Sequence, residues 1–381
     1  MYHVNDRVKN IEISGIRKFF NMVAPYNDVI SLTIGQPDFP TPEHIKIAAK
    51  QAIDDNFTTY THNAGYLELR QAASAYMDEK YSVSYEPESE IIVTTGASEA
   101  IDISLRTLLS EGDEVILPGP VYPGYEPIVT LCGARPVHVD VTGNGFKLTA
   151  DLLAQHLTEK TRVIILPYPS NPTGVSLTEE ELQQIAELVR GKNLIVLADE
   201  IYSELVFDRK HVSIASMLKE QTIIINGLSK SHSMTGWRIG FVYGPSELCS
   251  QILKVHQYNV SCASSISQKA AIAALTAGKN DSNEMKAEYK KRRDYVYSRL
   301  LEMQLDVVKP DGAFYFFVKI PAGQKNSFDF ALDLVKEGKV AVVPGSAFSK
   351  DGEGYFRLSY AYSMDTLREG LDRLQAFLSK R

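Results

Sequence analysis

Residues 193–200 read NLIVLADE. An unbroken apolar run, Leu194 to Ala198, ends abruptly in the carboxylate of Asp199. A strand with one wet face alternates polar and apolar residues; this one does not, so both of its faces are covered, as in a parallel sheet flanked by helices. The same pattern recurs at EIIVTT (90–95), EVILPG (114–119), RPVHVDV (135–141), RVIILPYP (162–169), TIIINGLS (222–229) and RIGFVYG (238–244), with helix-like stretches between them at 97–110, 178–190 and 245–256. Strands alternating with helices predict an α/β fold around a mostly parallel sheet, built from crossover units.

Past residue 279 the pattern changes. NDSNEMKAEYKKRRDYVYSRLLEM reads as a long charged helix; the shorter strands GAFYFFVKI, VAVVPG and GYFRLSYA follow, and SMDTLREGLDRLQAFLSK forms a closing helix. With 381 residues the chain is long enough for two domains. The expected division is a large domain over 46–279 and a smaller α+β domain over 280–381, with 1–45 forming an N-terminal arm and part of the small domain.

A net charge of −7 without a basic block argues against nucleic acid as a partner. No apolar run approaches the roughly 18 residues of a membrane span. The first ten residues, MYHVNDRVKN, contain no apolar signal region, so the cytoplasm is the expected compartment. Cys132, Cys249 and Cys262 are widely spaced and odd in number, which suits buried small side chains better than disulfides or a zinc site, and no metal is expected.

Ligands of open α/β sheets gather beyond the carboxyl ends of the strands. IIVTTGASEA (91–100) passes through Gly96 into Ala97 and Ser98 at a helix start, where free N–H groups and the helix dipole favour a phosphate; a plain turn would read the same way. ILPGPVYPGYEP (116–127) carries Tyr122 and Tyr125, either flat against a planar ring or simply packed. Asn171, between two prolines in LPYPSNPTG, is a ligand donor or a turn cap. Asp199 ends its apolar strand with Tyr202 three residues on; a carboxylate there pairs with an internal Arg or Lys, or awaits a cationic ligand. In NGLSKSHSMTGWRIG (226–240), Lys230 sits among small residues, as a nucleophilic or Schiff-base lysine requires, and Arg238 is placed to grip a phosphate. An amine, a phosphate cradle, an aromatic platform, a buried carboxylate and phenol or amide donors match pyridoxal 5′-phosphate part for part.

The blocks SLTIGQPDFPTP, YTHNAGYLELR, TTGASEAI, PGPVYPGYEP, PYPSNPTG, ADEIYSEL, NGLSKSHSMTGWRIG, GAFYFF, VPGSAF and FRLSYA occur in the order of a known family. Over essentially its whole length the chain resembles the fold-type I pyridoxal-phosphate aminotransferases of class I/II. IEISGIRKFF, KVHQYNVSCASSISQKAA and SMDTLREGLDRL resemble most the bacillar N-acetyl-L,L-diaminopimelate aminotransferases of lysine biosynthesis. The resemblance implies that Lys230 carries the cofactor, Asp199 pairs with its pyridine nitrogen, Asn171 and Tyr202 bond its 3′-oxygen, and Tyr122 stacks on its ring. Gly96, Ala97, Ser98, Ser229 and Arg238 would surround its phosphate, and Tyr60 would reach the phosphate in the neighbouring subunit of a homodimer with shared sites. Arg357, with the Gly35 backbone, would clamp the substrate α-carboxylate, while Ile16, Arg17 and the segment 256–264 shape the pocket. One departure stands out: many relatives place a hydroxyl residue three positions before the lysine, where this chain has Gly227. The implied activity is ping-pong transfer between an amino acid and a 2-oxo acid. A broad aromatic or aspartate-type aminotransferase, a C–S β-lyase and a regulatory module on the same scaffold are the alternatives.

Overall fold

The computed structural model describes residues 2–323 and 326–380. At its centre is a seven-stranded sheet. Its strands are β2 (Ile91–Thr94), β3 (Glu114–Gly119), β4 (Arg135–Asp140), β5 (Thr161–Leu166), β6 (Ile195–Asp199), β7 (Thr222–Gly227) and β8 (Gly240–Tyr243). In space they run β2-β8-β7-β6-β5-β3-β4. Only β8 is antiparallel to its neighbours. The side chains of β2, β3, β7 and β8 are buried throughout, as their unbroken apolar runs predict.

Because β8 runs against the rest, its beginning meets the edge where the other strands end. Arg238 therefore reaches the ligand edge from the start of a strand; it lies just outside β8 in the left-handed region, at φ 56°. Two glycines let these segments close together. A Cβ on Gly240 would run into the backbone of Gly96 and Ala97, and one on Gly96, itself at φ +81°, would collide with the Arg238 guanidinium.

The helices that matter for the site are α1 (Gly15–Val23), α2 (Ala97–Leu108), α3 (Glu179–Val189), α4 (Ser246–Val260), α5 (Ser265–Leu275), α6 (Ser282–Glu302) and α7 (Met364–Leu378). Helix α3 starts with a reciprocal cap: Thr178 Oγ1 accepts the Glu181 N–H at 3.2 Å, and the Glu181 carboxylate accepts the Thr178 N–H at 2.7 Å. Helix α4 continues four residues beyond the expected stretch, to Val260.

A second sheet contains β9 (Tyr315–Lys319), β11 (Val343–Pro344) and β12 (Tyr355–Ser359), all antiparallel. Here the structure departs from the single strand expected over VAVVPG. The run divides into β10 (Val340–Ala341), which pairs in parallel with β1 (Ile30–Ser31), and β11, which pairs with β12. A short all-apolar run carries no periodicity to mark such a change of partner. One core gathers Phe19 and Leu32 with Tyr289, Phe316, Phe356 and Leu371, so α1 and the strand that leads to Gly35 are fixed against the C-terminal elements.

Candidate active site

A cleft of about 710 Å³ opens at the ligand edge of the large sheet, where the C-terminal elements face it. Ile16, Arg17, Gly35, Ala97, Ser98, Tyr122, Asn171, Asp199, Tyr202, Ser229, Lys230, Arg238 and Arg357 all line it. Residues up to 341 positions apart in sequence thus meet at one place. Gly96 stands directly behind Arg238. Tyr60 is 87% exposed and lies outside its own chain's cleft. Residues 256–264, expected at the pocket, do not line the cleft of their own chain either; Tyr258 points outward, 88% exposed. The segment packs against the 57–66 loop instead, with His256 Nε2 on the Asn63 carbonyl and the Asn63 side chain on the Ser261 carbonyl.

Asp199 is 6% exposed. Of the two environments its sequence allowed, the internal ion pair is not formed: among the described residues no cation lies within ion-pair distance of its carboxylate, and Lys230 acts on it only from further off. The carboxylate accepts instead from the Tyr125 hydroxyl at 2.6 Å and from the Ile201 N–H at 3.2 Å. Burial raises the Asp199 carboxyl above its ordinary range, against the opposing pull of those two hydrogen bonds. Tyr125 thus serves the carboxylate rather than a ring face; Tyr122 meets it edge-on, with centroids 5.4 Å apart.

Lys230 follows β7 directly, on the single turn Leu228–Ser231. Its Nζ donates to the Gly35 carbonyl at 2.5 Å. Burial first, then the Arg357 and Arg238 cations, pull the amine down to about 8, with Asp199 opposing them. A lysine in this state holds a usable fraction of free amine near neutral pH. At Gly227 a side chain has no room: a Cβ would lie 2.8 Å from the Ile239 carbonyl and 3.1 Å from Gly240 Cα. The missing hydroxyl is a consequence of how closely β8 approaches β7.

Arg357 is 2% exposed. Its Nη2 donates to the Thr33 carbonyl at 2.6 Å and its Nη1 to Asn171 Oδ1 at 2.8 Å, while Nε is buried without a partner. The guanidinium lies 4.3 Å from the ring centroid of Tyr315, whose hydroxyl meets that of Tyr202 at 2.8 Å. Burial lowers the Arg357 pKa, and among the described residues no carboxylate pairs with it to offset that. Sequence reading passed over Tyr315; a single phenol within an aromatic run was its only signal.

This set of donors fits pyridoxal phosphate. Arg238 and the start of α2 form an anion cradle backed by Gly96; Asp199 is a buried carboxylate with no ion-pair partner among the described residues; and Lys230 is an amine shifted toward its neutral form. The comparisons agree. The sequence pattern of the class I and II aminotransferases matches residues 27–374. The chain belongs to that family. A probable N-acetyl-LL-diaminopimelate aminotransferase of Bacillus subtilis is 65% identical to this aminotransferase over 378 residues, 99% of this chain and 96% of that protein. The aspartate aminotransferase of Pyrococcus abyssi is 42% identical over 99% of both chains. Among solved structures, the Rhizobium meliloti aspartate aminotransferase superposes with a TM-score of 0.94 at 36% identity, covering 100% of this chain and 99% of that one. The fold is that of the fold-type I pyridoxal-phosphate enzymes, and the aminotransferase depends on that cofactor.

Proposed function

We propose that this aminotransferase takes the amino group of N-acetyl-L,L-diaminopimelate and passes it to 2-oxoglutarate, in lysine biosynthesis in the cytoplasm. The observation that carries this reading is the 65% identity, over nearly the full length of both chains, with the probable N-acetyl-LL-diaminopimelate aminotransferase of B. subtilis.

When bound, pyridoxal phosphate supplies the electron sink that makes a substrate Cα proton removable. The roles of the protein's own residues follow from their chemistry. Lys230 would hold the cofactor, and its amine, when free, would move the substrate Cα proton. Asp199, kept in place by Tyr125 and Ile201, holds a proton on the ring nitrogen. At an effective dielectric of about 20, opposite charges roughly 4 Å apart gain about 4 kcal/mol, enough to keep that proton at neutral pH. Ala97 and Ser98 at the start of α2, with Ser229 and Arg238, hold the phosphate. Tyr122 would cover the ring, and Asn171 and Tyr202 would hydrogen-bond its 3′-oxygen. Arg357, whose Nε is unpaired, takes the α-carboxylate beside Gly35.

The long polar substrate carries a second anionic end. Arg17 lines the cleft from α1, with Ile16 beside it, and among the described residues it has no ion pair. We assign it to the distal carboxylate. Tyr60, exposed on its loop, serves the site of a second copy in a homodimer.

The deciding experiment is a half-reaction series with the cofactor-loaded enzyme, reading the loss of visible cofactor absorbance on adding each amino donor. N-acetyl-L,L-diaminopimelate and glutamate should convert it and aromatic donors should not. Conversion by aspartate or phenylalanine alone would instead make the protein an aspartate- or aromatic-type aminotransferase. Pyruvate released from an S-alkyl cysteine without any oxo acid would make it a β-lyase.

A further inference from the structure

His256, on α4, is fully buried, and both of its ring nitrogens face acceptors. Nδ1 lies 2.8 Å from Glu99 Oε1, and Nε2 lies 2.9 Å from the backbone carbonyl of Asn63. A carbonyl can only accept, so Nε2 carries a hydrogen. The contact between Nδ1 and the carboxylate requires one more proton between them, and the pair is neutral as a whole. That makes its complete burial tolerable.

The three residues sit on three separate elements. Glu99 occupies the first turn of α2, and its other oxygen accepts the Thr95 N–H at 2.5 Å, closing the turn that places Ala97 and Ser98 at the cleft. Asn63 lies on the 57–66 loop that carries Tyr60. Its side chain donates to the Ser261 carbonyl at 2.7 Å, at the end of α4. Gln268 on α5, also fully buried, completes the attachment: Oε1 accepts the Tyr66 N–H at 2.8 Å and Nε2 donates to Thr61 Oγ1 at 3.1 Å. Among the described residues, His256 is the one side chain hydrogen-bonded both to the first turn of α2 and to the loop. Neither His256 nor Glu99 lines the cleft.

We propose that His256 and Glu99 are positioning residues, forming a strut that sets the phosphate end of α2 and the Tyr60-bearing loop at a fixed separation. Through the strut, the anion cradle of one chain and the loop it offers to its partner are held in register. The inference rests on the assignment of Ala97, Ser98 and Arg238 to the cofactor phosphate.

The test uses the full-length enzyme, stripped of cofactor and titrated back with pyridoxal phosphate and with pyridoxal, which has the ring and aldehyde but no phosphate. His256→Phe and Glu99→Ala should weaken pyridoxal phosphate about tenfold or more, the loss of one to two hydrogen bonds to a charged group. They should change pyridoxal less than about twofold, since the ring contacts stay in place. Glu99→Gln should stay within about threefold of the parent, because its amide can donate to Nδ1 while its carbonyl still accepts the Thr95 N–H. If His256→Phe yields no folded protein, Glu99→Ala against Glu99→Gln gives the same contrast. Equal weakening of the two ligands, or parent-like phosphate selectivity in a folded His256→Phe, overturns the strut. Arg238→Leu is the control: selectivity lost there but kept in the strut variants overturns only the strut, whereas selectivity kept in Arg238→Leu overturns the phosphate assignment and the strut with it.

Discussion

Replacing Tyr125 by Phe removes one oxygen atom from the protein and leaves the ring. The atom lost is the donor of a 2.6 Å hydrogen bond to Asp199, whose remaining protein donor is the Ile201 N–H at 3.2 Å. A hydrogen bond to an ionised group contributes about 1.5–3 kcal/mol, and one between neutral groups about 1 kcal/mol. The variant's deficit therefore depends on the charge of Asp199. That carboxyl is already raised by burial, so the folded protein binds its proton more readily than the unfolded chain does, and stability falls as pH rises through the folded-state pKa. Removing the hydroxyl pushes the carboxyl further up and deepens the fall. Cofactor-free Tyr125→Phe should lose about 1 kcal/mol on the acid side, where Asp199 is protonated, and about 1.5–3 kcal/mol on the alkaline side, where it is ionised, read as urea-unfolding midpoints against the parent across a pH series. In the loaded enzyme a carboxylate less willing to stay charged holds the ring proton less firmly, and kcat should fall about tenfold or more. A deficit of the same size across the whole pH series, or a variant with full kcat, would show that the hydroxyl does not act through the charge of Asp199.

Four other outcomes are expected. Lys230→Ala should lose the visible absorbance of the lysine-bound cofactor and at least about 10³-fold in turnover; borohydride labelling of any other lysine in the parent would refute the assignment. Gly227→Ser should destabilise the chain by about 1–3 kcal/mol through the clash with Ile239 and Gly240, unless calorimetry finds an unchanged Tm. Arg17→Ala should lower kcat/KM for the diacid about ten- to a hundredfold while leaving alanine within about twofold; a uniform loss would point to displacement of α1. Tyr60→Ala and Lys230→Ala chains, each inactive, should recover up to about a quarter of parental activity on mixing, since half the dimers are hybrids with one complete site; demonstrated hybrids without activity would argue against sharing.

What could be read from the sequence divides along a physical line. Asp199 was conspicuous because a carboxylate closing five apolar residues is costly, and a costly residue has a reason to be there. What stabilises it could not be read: Tyr125 lies 74 residues away, and nothing in a Pro/Gly loop says which way a tyrosine faces. The central strands were legible from their composition because burial on two faces leaves a continuous apolar run. That same continuity hid the direction of β8 and the division of 340–344 between two sheets, since direction and pairing are set by where the chain returns rather than by local periodicity.

The strut makes the same point at longer range. Glu99 looks like an ordinary residue in the first turn of a helix, and His256 like a polar residue on a mixed helix face. Only their meeting, 157 positions apart, gives each a role. Gly227 shows that a departure from a family's pattern can have a packing cause. A missing hydroxyl suggests a weakened phosphate grip, yet the space for that side chain is filled by the backbone of Ile239 and Gly240, and Gly240 in turn presses on the Gly96 turn behind Arg238. Gly227 is thus part of the packing that brings the Arg238 guanidinium and the first turn of α2 together. In this aminotransferase the anion cradle is set by how closely three backbones approach one another, and its hydrogen-bond donors follow from that approach.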